Sequence, residues 1–225
     1  MKIPYVDSKE MAKIDKSAIS SGLDILQMME NAGRNLARFI ADNLKPKKVI
    51  LIFGKGNNGG GGLVAARYLS IYGIEVEIIS ASREVNENIK HQLRILENSG
   101  IYPKEDFKAR EGDVVIDALL GYNIKGDPKG RYADLIRGIN FMRKSGMRVV
   151  SLDLPSGSNP DENNSFEPCV KADFTLTLAL PKKGLRNNRN AGKIYLANIG
   201  IPTEVYSKLG IGVGNIFKKQ DIIKV

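Results

Sequence analysis

Cysteine and histidine are almost missing from this chain: Cys169 and His91 are the single representatives in 225 residues, and there is no tryptophan. One cysteine cannot close an intrachain disulfide or build a thiolate zinc cluster, and one histidine cannot supply a helix-borne zinc pair. Chemistry therefore falls to carboxylates, hydroxyls, amides and Lys/Arg. No apolar run approaches the roughly 20 residues that span a bilayer, and the opening stretch, residues 1–11, lacks the apolar core of a secretory signal. The expected setting is reducing and cytoplasmic, with no membrane partner.

Charge of one sign is in excess. The 34 Lys plus Arg outnumber the 25 Asp plus Glu, for a formal charge of +9. A nucleic-acid partner, a phosphorylated small molecule and a plain solvated surface all fit that excess. The basic residues come in pairs (Lys47-Lys48, Lys182-Lys183, Lys218-Lys219) without interleaved aromatics, which argues against nucleic acid.

What is present is an alternating pattern over one domain, residues 1–225. Residues 8–20 and 23–44 carry apolar side chains at helical spacing, Gly22 punctuating them, with Leu26, Met29, Leu36, Phe39 and Ile40 in one stripe. Continuous apolar runs follow at residues 48–53, 74–80, 114–119, 149–154, 174–178 and 194–199. Runs this apolar suit strands covered on both faces, and helical stretches at 63–72, 87–97 and 133–144 supply the crossovers, so a mostly parallel α/β sheet is expected. Residues 158–167, polar and rich in Asn, Asp and Glu, read as a surface loop.

Three loops depart from ordinary turn chemistry: Gly54-Lys-Gly-Asn-Asn-Gly-Gly-Gly-Gly62, the stretch from Asp117 to Gly130, and Asp153-Leu-Pro-Ser-Gly157. Each follows a predicted strand at its carboxyl end, the edge where open parallel sheets bind ligands. Gly54, Gly56 and Gly59 match the dinucleotide fingerprint literally, but no acidic residue ends the second strand. Ser80-Ala-Ser-Arg83 stands there instead, and would suit a ribose phosphate no worse than a bare ribose. Asn57 and Asn58 offer carbonyl oxygens and amides suited to a hard cation or a ligand amide, or simply a Gly/Asn turn. Asp117 and Asp153 each close a buried strand, where a carboxylate must be paired, bound to a cation or kept for acid/base work. Capping explains Asp153 poorly, because Pro155 follows. Ser156 can turn its hydroxyl into the same pocket, but without a base it is no nucleophile, since His91 reads as an exposed helix residue. Lys125, Lys129, Arg131, Lys182 and Lys183 are candidate phosphate contacts or solvated loop lysines, and Cys169 reads as a packing residue.

These motifs, in this order, resemble the YjeF N-terminal domain family, the NAD(P)H-hydrate epimerases. Leu26-Gln-Met-Met-Glu30-Asn-Ala-Gly-Arg34 is similar to the family's opening helices, and Gly54-Lys-Gly-Asn-Asn-Gly-Gly60 to its glycine loop. Val115-Ile-Asp-Ala-Leu-Leu-Gly121, Asp153-Leu-Pro-Ser-Gly157, Ala172-Asp-Phe-Thr-Leu-Thr-Leu178 and Ile199-Gly-Ile-Pro202 complete the series. The resemblance implies a Rossmann-like three-layer α/β/α sandwich with a mostly parallel central sheet and two N-terminal helices. It also implies interconversion of the R and S forms of hydrated NADH and NADPH (NADHX and NADPHX), a cofactor-repair reaction. Carried over residue by residue, a potassium ion falls on Asn58, Asp117 and Ser156. The substrate contacts fall on Asn57, Asn58, Gly59, Gly60, Gly61, on Gly121, Tyr122, Asn123, Ile124, Lys125, Gly126, Asp127, and on Asp153. Asp153 is expected to act as general acid/base, so that Asp153→Asn abolishes turnover and leaves the fold intact. The implied partner is an NAD(P)H-hydrate dehydratase, here expected as a separate protein, and a homodimer through the N-terminal helices is left open.

One residue departs from the pattern: where the family reads Asn-Asn-Gly-Gly-Asp-Gly, this chain has Gly61 in place of the Asp. Loss of a hydrogen-bonded charged partner costs about 1.5–3 kcal/mol. The alternative reading is a non-catalytic nucleotide-binding or protein-interaction module of the same fold, a role other members of the family fill.

Overall fold

Two reciprocal caps start the molecule. Asp7 accepts a hydrogen bond from the Glu10 amide and Glu10 from the Asp7 amide, both at 2.8 Å, which opens helix α1 (Ser8–Ser20). Asp24 and Gln27 do the same for α2 (Ile25–Asn43). The computed structural model describes residues 3–225; Met1 and Lys2, part of the opening stretch read for a signal, lie outside the described residues.

The strands are β1 (Lys48–Phe53), β2 (Glu75–Ser80), β3 (Pro103–Lys104), β4 (Val114–Ala118), β5 (Arg148–Leu152), β6 (Phe174–Leu178), β7 (Lys193–Ala197) and β8 (Ile222–Lys224). They form one sheet in the order β3-β2-β1-β4-β5-β6-β7-β8, parallel throughout except that β8 runs antiparallel to β7. The connecting helices are α3 (Asn57–Ile71), α4 (Glu87–Asn98), α5 (Arg131–Met142) and α6 (Thr203–Lys208).

Alternate strand residues feed two layers, which is why the runs are apolar without a break. Leu51, Phe53, Ile116 and Leu152 pack under α2, α3 and α4, against Leu36, Ile40, Leu63 and Leu69. Ile50, Ile52, Val115 and Val149 pack on the other face against Leu135, Ile136 and Ile139 of α5. The three-layer expectation is met. Helix α1 stands outside these layers: Met11, Ile14 and Ala18 meet Leu180, Ile199 and Tyr206 beyond the ends of the last strands.

The structure corrects one element. A helix was expected to begin near residue 63 after a glycine loop, but α3 begins at Asn57, so the glycines form its first two turns. Helix propensity argues against glycine there, and close packing overrides it. A Cβ on Gly62 would come within 2.7 Å of Leu51 and Ala118 side-chain atoms, and one on Gly60 within 2.7 Å of Met29 Sδ. Strands β3 and β8 and helix α6 were not expected; at two, three and six residues they are too short to carry a periodic signal. Residues 158–167 are irregular as expected, though Ser158 is buried against Cys169. Among the described residues no helix is long and apolar enough to cross a membrane.

Candidate active site

Strand order reverses between β1 and β4, and this switch point places the loops after β1, β4 and β5 side by side at one edge of the sheet. A cavity of about 560 Å³ opens there. Asn57, Asn58 and Gly61 of α3, the loop from Gly121 to Asp127, and Asp153 line it, while Met11 and Asp15 of α1 and Met28 and Met29 of α2 close it from above. Gly59 and Gly60 lie behind this wall, packed on Gly54 and Met29.

Asp117 sits under the cavity floor. Its register partner in β5 is Ser151, whose hydroxyl donates to Asp117 Oδ2 at 2.8 Å. The Ser156 amide donates to the same oxygen at 2.8 Å; the Ser156 hydroxyl reaches Oδ1 at 2.5 Å and the Leu119 amide reaches it at 3.3 Å. Burial pushes the Asp117 carboxyl up against those four hydrogen bonds. Asn58 turns its amide inward: Nδ2 donates to the carbonyls of Leu120 (3.2 Å) and Leu152 (3.1 Å), which leaves Oδ1 buried without a partner. Asn58, Asp117 and Ser156 thus converge on the β4 and β5 loops. Among the described residues no group of three His, Cys, Asp or Glu side chains could hold a metal, so a cation at Asn58, Asp117 and Ser156 would meet one carboxylate together with amide and hydroxyl oxygens.

Asp153 directly follows β5 and is strained: its φ of +69° is left-handed, uncommon for a residue with a side chain. The backbone is held there by its amide, which donates to the Leu176 carbonyl at 2.8 Å. This turn swings the side chain toward β6. Asp153 Oδ1 accepts from Thr177 Oγ1 and the Leu178 amide, each at 3.3 Å, and from the Lys182 ammonium. Oδ2 remains open toward Gly121, 3.8 Å from where a Cβ on that glycine would stand. A side chain at Gly121 would enter the space between Asn58 and Asp153.

Lys182 is the residue that sequence reasoning misplaced. Expected as a phosphate contact or a solvated loop lysine, it is 1% exposed, donates to the Leu178 carbonyl at 3.0 Å and lies 5.7 Å from the Tyr122 ring centroid. A buried lysine needs a carboxylate, and Asp153 is that partner. Backbone geometry holds it inward: the Val6 amide donates to Pro181 at 3.0 Å and the Lys183 amide to Val6 at 2.8 Å, a strap that brackets Lys182. Lys183 points the other way and pairs with Asp7 (2.7 Å) and Glu10 (2.9 Å). Neither lysine is free for a phosphate.

Asp15 was not singled out from sequence. The Tyr122 hydroxyl donates to its Oδ2 at 2.5 Å, and burial pushes the Asp15 carboxyl up. The signal available was its spacing: Met11 and Asp15 are four apart on one face of α1. Of the other candidate basic residues, Lys125 and Lys129 line the cavity, as does Lys55. Arg131 does not: its Nε donates to the Ser80 carbonyl at 2.9 Å and its guanidinium also binds the Glu105 carbonyl. The hydroxyls of Ser80 and Ser82 likewise donate to nearby backbone carbonyls, at 2.6 and 2.8 Å. His91 is exposed and Cys169 buried, as expected.

The family described as YjeF-related protein N-terminus matches residues 25–184. The chain belongs to that family. It is 39% identical over 209 residues to the NAD(P)H-hydrate epimerase of Dehalogenimonas lykanthroporepellens, covering 89% of this chain and 84% of that one. The NAD(P)H-hydrate epimerase of Rhodopirellula baltica is 33% identical over 223 residues, 94% of this chain and 90% of its own. The bifunctional NAD(P)H-hydrate repair enzyme Nnr of Methanopyrus kandleri is 35% identical, and there the match spans 88% of this chain but 42% of the relative. The crystal structure of yeast ynu0 superposes with a TM-score of 0.85 at 23% identity over 99% of this chain and all of that one, which establishes the shared fold.

Proposed function

We propose that this protein is an NAD(P)H-hydrate epimerase, interconverting the R and S forms of NADHX and NADPHX, with Asp153 as the general acid/base. One observation carries the chemistry: a strained, buried carboxylate anchored through Oδ1 presents its free Oδ2 to the cavity at the sheet's switch point. The relatives' names supply the substrate. The cavity volume lies in the range of roughly 300–1,000 Å³ usual for small-molecule sites. Lys55 and the amino end of α3 suit the pyrophosphate, since the first amides of a helix have no internal partner.

The substrate's hydroxyl sits on the ring carbon bonded to nitrogen, because water adds to an enamine at that position. Protonating the hydroxyl lets the nitrogen lone pair expel it as water, and water returning to the other face completes the inversion. A positioned proton-transfer group contributes about 10²–10⁴-fold to such a step. Asp153 serves it, with Lys182 fixing the carboxylate's orientation.

A potassium ion would be held by Asn58, Asp117 and Ser156; what supports this is the buried, unpartnered Asn58 Oδ1, with Asn58 and Ser156 both bonded to Leu120 and Ser156 to Asp117. When bound, it would offset the Asp117 charge and tie together the three loops of the site. Asn57, Gly61, Gly121, Tyr122, Asn123, Ile124, Lys125, Gly126 and Asp127 are the proposed substrate contacts, with Gly59 and Gly60 supporting the wall from behind. A cytoplasmic setting and a dehydratase that consumes the S form complete the reading; the bifunctional repair relatives support that link.

The test is chiral-resolved exchange of purified R-NADHX and R-NADPHX, with potassium and then sodium, measured over the spontaneous rate. Potassium-dependent acceleration is expected. A folded protein that binds the nucleotide without accelerating exchange would be a binding module instead.

A further inference from the structure

Inversion at one carbon has two faces to serve, and a carboxylate fixed on one side reaches only one of them without moving. Asp153 is so fixed: Oδ1 is held by Lys182, Thr177 and Leu178, and only Oδ2 is open. The cavity contains a second carboxyl group that the reading above leaves without a task. Asp15 enters from α1, across the cavity roof, whereas Asp153 rises from the sheet edge. Tyr122 separates them. Its hydroxyl donates to Asp15 Oδ2 at 2.5 Å, while Lys182, paired with Asp153, lies 5.7 Å from its ring centroid. Among the described residues Asp15 Oδ1 makes no hydrogen bond, so each carboxyl group is anchored through one oxygen and leaves the other free.

We infer that Asp15 is the second proton-transfer residue, serving the ring face opposite to Asp153; this rests on the epimerase reading. In one direction Asp15 protonates the departing hydroxyl, the C–O pair leaves with oxygen as water, and the nitrogen lone pair forms the C=N bond. Solvent water then attacks the other face, its lone pair forms the new C–O bond, the C=N pair returns to nitrogen, and Asp153 takes the released proton. In the reverse direction the two exchange roles, and proton exchange with solvent resets both. The environments suit this division: Asp153 lies against an ammonium, whereas Asp15 touches a neutral phenol and burial favours its protonated form.

The test combines oxygen tracing with substitution. In water enriched in oxygen-18, the initial inverted product of the unaltered enzyme should carry one solvent oxygen per inversion. Retention of the original oxygen would mean that the ring opens and recloses, and would overturn the proposal while leaving the epimerase reading intact. Asp15→Asn keeps an oxygen to accept the Tyr122 hydroxyl, so a merely structural role predicts near-normal turnover. The proposal predicts a 10²–10⁴-fold loss in kcat with nucleotide binding retained. Normal turnover of Asp15→Asn overturns it. Should that variant fail to fold, Asp15→Ser, read by the same turnover and nucleotide-binding measurements, decides it: turnover near normal overturns the proposal, and a roughly 10²–10⁴-fold loss in kcat with binding retained upholds it. No acceleration by the unaltered enzyme would remove the epimerase reading and this inference together.

Discussion

Lys182 and Asp153, 29 residues apart in the chain, form an ion pair in which the two side chains are 1% and 5% exposed. A pair this deep is balanced between desolvation and attraction, and removing one partner strands the other. The expectation that Asp153→Asn leaves the fold intact is therefore revised. Asp153→Asn should abolish epimerisation and also cost about 3–5 kcal/mol of stability, because the Lys182 charge stays buried. The double variant with Lys182→Met should recover most of the stability and none of the turnover. Urea unfolding beside the chiral exchange assay separates the two effects; equal stability of single and double variants would refute the coupling.

Potassium should raise the melting temperature over sodium at matched ionic strength. A ligand at 100 times its Kd stabilises by about 2.7 kcal/mol. Asn58→Ala and Ser156→Ala should each erase the difference between the two salts. A thermal scan reads this without substrate, and identical curves for the parent protein in both salts would dismiss the cation site.

Gly61 stands where the resembled pattern reads Asp, and an added Cβ there meets only side-chain atoms. A Cβ there would lie 3.1 Å from Leu152 Cδ2 and 3.8 Å from Ala32 Cβ, so a leucine tip must give by a few tenths of an ångström. Gly61→Asp should tighten NADPHX binding by about 1.5–3 kcal/mol, roughly tenfold to more than a hundredfold. Isothermal titration measures it, and unchanged affinity would show that Gly61 costs the protein nothing.

Asp7 links stability to pH. Its carboxyl is held below the usual carboxylate range by the hydrogen bond from Lys183 and then by the Glu10 amide, which outweigh the opposing effect of burial. The folded form thus favours the charged carboxylate. This contribution is complete above the unfolded value and fades as pH falls through the lower, folded one. Asp7→Ala should cost about 1 kcal/mol near neutrality, as the loss of an N-cap does, and the cost should shrink below about pH 4. Denaturant midpoints across that range test the sign.

Most of the sheet was legible because each buried strand announces itself as an unbroken apolar run. Residues 48–53 and 174–178 were bounded correctly, and the three loops singled out by their glycines and aspartates meet at one edge. Tertiary context hid the rest. The start of α3 was obscured because glycine in a helix contradicts propensity unless a neighbour forbids a side chain, and that neighbour is Met29 or Leu51, distant in sequence. Lys182 and Lys183 are adjacent and chemically identical, yet one is buried on Asp153 and the other faces Asp7. Only the strap from Val6 distinguishes them. Asp15 lies on α1, outside the three loops that the glycines and aspartates single out, and its contact with Tyr122 across the cavity appears only in the fold.

That strap has a consequence for the order in which the protein is built. Val6 leaves the ribosome at least 175 residues ahead of its partners Pro181 and Lys183. The strap can form only once both of its ends are present, a long loop closure of the kind that slows folding. A tag that tugs on the amino terminus would then act at a distance, loosening the hold on Lys182 while the strands stay untouched.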